Sequence, residues 1–220
     1  QNWGTISGPV AAVFGSVNGD SLLNRGVLDG DVILGGGDDV FDTRGGVVTG
    51  TISLDAGKDV VRGNANEAET VSGGADIDTL DFRFGPAVTV ALDGAFDNAG
   101  AALGDSYAGF ENVNGSSLGD QIRGNGTGNT LIGFGGDDTI DGAAGADVIR
   151  GGAGADLLTG GLGNDAFRYS ALTEAGDEIT DFLNIGGNND LFQIVATAFG
   201  GGLVAGALAA NQFQSRADNV

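Results

Sequence analysis

Gly115-Ser116-Ser117-Leu118-Gly119-Asp120-Gln121-Ile122-Arg123 opens a run that continues without a gap to Arg168 as six nine-residue units: GSSLGDQIR, GNGTGNTLI, GFGGDDTID, GAAGADVIR, GGAGADLLT and GGLGNDAFR. Each unit begins with Gly. Each has an acid or amide at its sixth place (Asp120, Asn129, Asp138, Asp147, Asp156, Asp165) and one large apolar residue at its eighth (Ile122, Leu131, Ile140, Ile149, Leu158, Phe167). A short fixed period of this kind marks a solenoid. Within a unit, the Gly-rich half suits a tight turn with exposed carbonyls. The second half suits a short strand, whose period-two geometry turns the eighth-place residue inward.

If one unit is half a coil, units two apart stack in register. Asp120, Asp138 and Asp156 then share one edge, and Asn129, Asp147 and Asp165 the other. Two inner ladders follow, Ile122-Ile140-Leu158 and Leu131-Ile149-Phe167. One apolar side chain per nine residues is a thin core against the entropy of ordering them, and stacked carboxylates repel. A divalent cation between coils answers both difficulties. Carboxylates and turn carbonyls are hard oxygen donors that suit calcium.

Composition narrows the function classes. The 220 residues carry 30 acids against 9 Lys and Arg, a formal charge of −21. That excludes a phosphate-backbone partner, so no nucleic acid is expected. There is no Cys to staple the chain and no His to act as general base or zinc ligand. Gly 44 with Pro 2 and no G-X-Y period is not collagen. Leu191 to Ala210 is uncharged and long enough to span a bilayer, but its glycines and missing basic flank read better as a buried cap or an interface, so no membrane span is expected. Gln1 is no start methionine, and the chain reads as an internal fragment.

Upstream, over residues 1–72, a looser repeat of about twenty residues predicts an irregular solenoid part. Gly26-Val27-Leu28-Asp29-Gly30-Asp31-Val32-Ile33-Leu34 is echoed by Gly46-Val47-Val48-Thr49-Gly50-Thr51-Ile52-Ser53-Leu54, with Asn2 to Gly8 as a partial earlier copy. Acidic turns follow, in which Asp39, Asp59 and, after Gly73, Asp78 hold the sixth-place role. These are either further metal sites or simple turn caps. Residues 73–114 interrupt the period, with a strand expected over Val88–Leu92. Phe82, Phe84, Phe96, Tyr107 and Phe110 are placed to close an end of the core. Residues 115–168 form the nonapeptide roll, and 169–220 a C-terminal cap that begins at Tyr169–Phe182 and includes a strand over Leu191–Ile194.

The units fit the consensus G-G-x-G-x-D-x-U-x. With Gly109-Phe110-Glu111-Asn112-Val113-Asn114-Gly115-Ser116 before them and Asp177-Glu178-Ile179-Thr180-Asp181-Phe182 after, the chain resembles the repeats-in-toxin (RTX) family. The resemblance implies an all-β parallel β-roll, folding on extracellular calcium (several ions) and type I secretion. It also implies that the sixth-place side chains, with carbonyls of the first and third places (Gly133, Gly135, Gly142, Ala144, Gly151, Ala153, Gly160, Leu162), ligate calcium. Asn129 in place of Asp, and Leu118 and Thr127 in place of the fourth-place Gly, predict weak or no binding in the first two units. The family's C-terminal region runs further than Val220, which implies a truncated cap.

No catalytic constellation emerges. Gly115-Ser116-Ser117-Leu118-Gly119 fits G-x-S-x-G, but it lies inside the repeat and no His completes a triad. Neither H-E-x-x-H nor an ice-binding threonine ladder is present. Acids that hold metal stay ionised, the wrong state for a glycosidase acid. The expectation is a non-catalytic, secreted, calcium-binding module with a structural, surface-assembly or adhesive role, able to self-associate into a filament or layer. The alternative is the calcium-folded tail of a larger secreted enzyme (protease, lipase or epimerase).

Overall fold

In the computed structural model, residues 1–63, 68–171, 173–174, 176–185 and 188–195 are described. Among them there is no helix, and parallel strands stack as a β-solenoid of about nine turns. No helix among these residues is long and apolar enough to cross a membrane. Most of the uncharged stretch from Leu191 to Ala210, and the rest of the cap to Val220, lies outside the described residues.

One sheet runs the length of the stack. Its nine strands, Ser21–Leu23, Val40–Asp42, Val60–Arg62, Thr79–Asp81, Asn112–Asn114, Thr130–Gly135, Val148–Ala153, Ala166–Tyr169 and Leu191–Ile194, pair in parallel in that order. Two shorter sheets share the opposite wall. Thr5–Ser16, Val27–Gly35, Thr51–Ser53, Thr70–Ser72 and Ser106–Ala108 form the amino-terminal one, with Val47–Val48 beside Val27–Gly35. Val88–Ala91, Gln121–Arg123, Thr139–Asp141, Leu157–Thr159 and Glu178–Ile179 form the other, with Ala99–Gly100 antiparallel at its edge.

The eighteen-residue stacking is as the period requires. Ile122 pairs with Ile140 and Ile140 with Leu158, while Leu131 pairs with Ile149 and Ile149 with Phe167. All six side chains are buried. The upstream echo is real stacking too, with Val27 opposite Val47, Leu28 opposite Val48 and Val32 opposite Ile52. These wider coils bury more apolar side chains: Phe41, Val48, Ile52 and Leu54 lie within one circuit, against two per circuit in the nonapeptides.

Residues between Asp81 and Asn112 do not interrupt the stack. Thr79–Asp81 and Asn112–Asn114 are direct neighbours in the long sheet. The intervening chain supplies the first parallel strand of one short sheet, Val88–Ala91, and the last strand of the other, Ser106–Ala108. It is an enlarged coil at which the opposite wall changes sheet. Phe82 and Phe110 are buried there, with the Tyr107 ring edge-on to both. Phe84 departs from the expectation. It is 70 % exposed, with the Arg44 and Arg83 guanidinium groups against its ring, an arrangement that favours cation–π contact over burial.

The segment after Arg168 adds a further coil rather than a foreign cover. Glu178–Ile179 stacks on Leu157–Thr159, and Leu191–Ile194 on Ala166–Tyr169. Tyr169 and Phe192 stack at 4.8 Å, and Phe182 packs beside Phe167.

Candidate metal centre

The sixth-place residues form two ladders between coils, and each rung is made the same way. One carboxylate oxygen accepts the backbone N–H of the sixth-place residue one coil earlier. On one edge the Asp120 amide donates to Oδ1 of Asp138 at 2.7 Å, and the Asp138 amide to Oδ1 of Asp156 at 2.9 Å. On the other, the Asn129 amide donates to Asp147 at 2.7 Å and the Asp147 amide to Asp165 at 2.9 Å. The upstream acids belong to the same edge: Asp20 donates to Asp39, Asp39 to Asp59, and Asp59 to Asp78.

The second oxygen is where the turns divide into two classes. Among the described residues, Oδ2 of Asp138, Asp147, Asp156 and Asp165 is buried with no hydrogen-bond partner, as it is in Asp39, Asp59, Asp78 and Asp177. Burying a carboxylate oxygen unpartnered carries a penalty of about 1–3 kcal/mol or more. The cost registers in the acid–base chemistry. Burial first, then the neighbouring acids Asp120, Asp156 and Asp137, push Asp138 up to about 8. Burial, with Asp165 and Asp141, raises Asp147 to about 6. Asp39, Asp59, Asp156 and Asp165 shift upward for the same leading reason.

Asp120 and Asn129 belong to the other class. Oδ2 of Asp120 accepts the Ser116 amide at 2.5 Å, and the Ser116 hydroxyl donates to Oδ1. Asn129 accepts the Asn125 amide through Oδ1 and donates Nδ2 to the Glu111 carbonyl. The backbone differs accordingly. In the four later units the second and fourth places have positive φ (Phe134 at 78° and Gly136 at 100°, for instance), and no second- or fourth-place residue of the first two units does. A second-place Ser or Asn thus closes the turn with protein atoms, by the local side-chain-to-backbone bonding these residues favour. The expectation of weak binding in the first two units accords with this geometry, in which the sixth-place oxygens already have protein partners.

Glycine at the first place lies against the unpartnered oxygen. A Cβ on Gly133 would collide with Oδ2 of Asp138 and come within 2.6 Å of the Gly151 carbonyl oxygen. A Cβ on Gly142 would collide with Oδ2 of Asp147 and lie 2.5 Å from the Gly160 carbonyl. Gly151 and Gly160 stand in the same way against Asp156 and Asp165. Carboxylate and carbonyl oxygens therefore converge on a space that any side chain would fill. Among the described residues no group of three acidic side chains is placed to hold a metal, because each turn brings a single buried carboxylate and the other oxygens beside it are carbonyls. Of the third-place carbonyls, Ala153 accepts the Gly136 amide and Leu162 the Gly145 amide, each leaving a second lone pair. Gly135 and Ala144 occupy the equivalent places one coil earlier. An all-oxygen set with one buried anion per turn fits a hard divalent cation such as calcium.

Four ladder members escape the nine-residue period. Asp78 donates its amide to Glu111, Asp156 to Asp177 and Asp165 to Asp190, at offsets of 33, 21 and 25 residues, and Asp20 starts the ladder. The signal that finds them is an acid two residues before a core residue: Asp20-Ser21-Leu22, Glu111-Asn112-Val113, Asp177-Glu178-Ile179, Asp190-Leu191-Phe192. Asp181 has another task, accepting the Gly160 and Gly161 amides.

Residues 114–149 and 132–167 match the family model described as RTX calcium-binding nonapeptide repeat (4 copies). No curated protein matches the chain.

Proposed function

We propose that this chain, whose residues 114–167 are calcium-binding RTX repeats on a β-solenoid, acts as a non-catalytic extracellular element that folds on calcium and serves a structural, adhesive or surface-assembly role. The observation that carries the reading is the set of four buried carboxylates, Asp138, Asp147, Asp156 and Asp165, each bonded through one oxygen and unpartnered through the other beside a glycine. A cation held there would stabilise only the folded coil, so its concentration sets the folded fraction. With extracellular-type affinities of roughly 10⁻⁴–10⁻³ M, the nonapeptide coils fold where calcium is millimolar and stay open where it is scarce. Export before folding, as in type I secretion, accords with that dependence.

A non-catalytic role is supported by where the shifted acids lie. They sit between coils, beside other acids, with no His or Cys to share a reaction. Self-association belongs to the same proposal. Among the described residues Thr5–Ser16 pairs on one side only, with Trp3, Phe14 and Val17 exposed near it, an arrangement that suits strand addition. Far-ultraviolet circular dichroism in millimolar calcium and in excess chelator tests the central claim. A large loss of β signal on chelation is expected, and an unchanged spectrum overturns it. Sedimentation in calcium tests self-association, and a monomer at every concentration removes that part.

A further inference from the structure

We propose that the turn Gly73–Asp78, outside the matched repeats, is an additional calcium site, whereas the similar turns ending at Asp39 and Asp59 are closed by leucine instead. The inference rests on the cation chemistry assigned above to the matched repeats and extends it by a rule about one backbone place.

Asp78 is fully buried. Its Oδ1 accepts the Asp59 amide at 2.8 Å, and its Oδ2 finds no partner. A Cβ on Gly73 would lie 2.5 Å from that Oδ2 and would collide with the Gly109 carbonyl oxygen of the next coil. This is the pairing of carboxylate and next-coil carbonyl found at Gly133 and at Gly142. The turn backbone agrees as well, with positive φ at its second and fourth places, Gly74 at 117° and Asp76 at 79°. Asp76 reaches that left-handed conformation without being glycine, so the turn shape is kept against a local preference. Glu111 takes the next place in the ladder, its carboxylate accepting the Asp78 amide at 3.0 Å.

Asp39 and Asp59 share the buried carboxylate, the Oδ1 bond (from the Asp20 and Asp39 amides) and the unpartnered Oδ2. Their turns also carry positive φ at Gly35 and Gly37 and at Asp55 and Gly57. The difference is at the first place, where Leu34 and Leu54 stand, both buried in the core. A side chain occupies the position that Gly73 leaves to hydrogen. Burying leucine there stabilises the coil through the core in place of an ion.

The test is to count ions on the full chain by native mass spectrometry and equilibrium dialysis with calcium alone, comparing Asp78→Asn, Asp59→Asn and Asp147→Asn with the parent. Asp78→Asn is expected to lose one ion and Asp59→Asn none, with Asp147→Asn losing one as the reference inside the repeats. Gly73→Ala keeps the carboxylate and fills the space with one methyl, and it should lose the same ion as Asp78→Asn. A full complement in both Asp78→Asn and Gly73→Ala overturns the site. A loss in Asp59→Asn equal to that in Asp78→Asn overturns the glycine condition. If Asp147→Asn also retains every ion, what fails is the calcium reading of the repeats themselves.

Discussion

The coils before Gly63 and those after Gly115 share a backbone path and differ in what fills it. Both stack in parallel on the same long sheet, and both hang each sixth-place amide on the next coil's carboxylate. The early coils take nineteen or twenty residues per circuit and put Leu34 and Leu54 at the turn. The later ones take eighteen and put glycine there. Two extra buried apolar side chains per circuit are worth about 3–6 kcal/mol as an upper bound. One scaffold is thus held by hydrocarbon at one end and, on the function proposed above, by cations at the other.

Chelation is the most forceful way to break that contrast. In excess chelator, amides of Thr130–Gly135 and Val148–Ala153 should exchange with solvent far faster than in calcium, while those of Val40–Asp42 and Val60–Arg62 keep most of their protection. Hydrogen exchange read by mass spectrometry checks this, and equal loss along the stack would erase the distinction. Acidity should act in the opposite sense to metal removal. Asp138 and Asp147 have folded-state values near 8 and 6 because they are buried beside other acids. Raised values stabilise the fold below the unfolded value of about 3.9, and that contribution disappears as pH climbs through 6 and then 8. The metal-free protein should therefore unfold at a higher temperature at pH 5 than at pH 8. In calcium the trend should reverse, since binding requires the deprotonated acid.

Smaller effects sharpen the comparison residue by residue. Leu54→Ala should destabilise by about 2–5 kcal/mol, by the same amount with and without calcium, in thermal or denaturant unfolding. A calcium-dependent penalty would mean that the leucine does not stand in for an ion. Asn129→Asp should cost about 1–3 kcal/mol, because it replaces the Nδ2 donor facing the Glu111 carbonyl and Asn125 Oδ1 with an acceptor.

Much of this architecture is legible in the sequence, because an acid two residues before a core side chain marks each rung. That spacing is enough for the eighteen-residue register, the two inner ladders and the upstream echo. It is less visible where circuits lengthen. Glu111, Asp177 and Asp190 sit at irregular offsets, so a fixed period passes over them. The change of sheet between Val88 and Ala108 is set by which wall the enlarged coil meets, a long-range matter with no local signature. Phe84 departs from the pattern because an aromatic residue near a core is ordinarily buried, whereas here two guanidinium groups lie against the ring at the surface. The two turn classes rest on a single residue, Ser116 or Asn125 at the second place. Its hydrogen-bonding consequence shows only once the turn is built.

The rung bonds all point one way, from an amide to the carboxylate that follows it in the chain. Along this ladder a fracture across the solenoid therefore bares amides on the amino-terminal piece and carboxylates on the carboxyl-terminal piece. Broken copies remake these bonds by rejoining head to tail, an open-ended geometry that extends a rod.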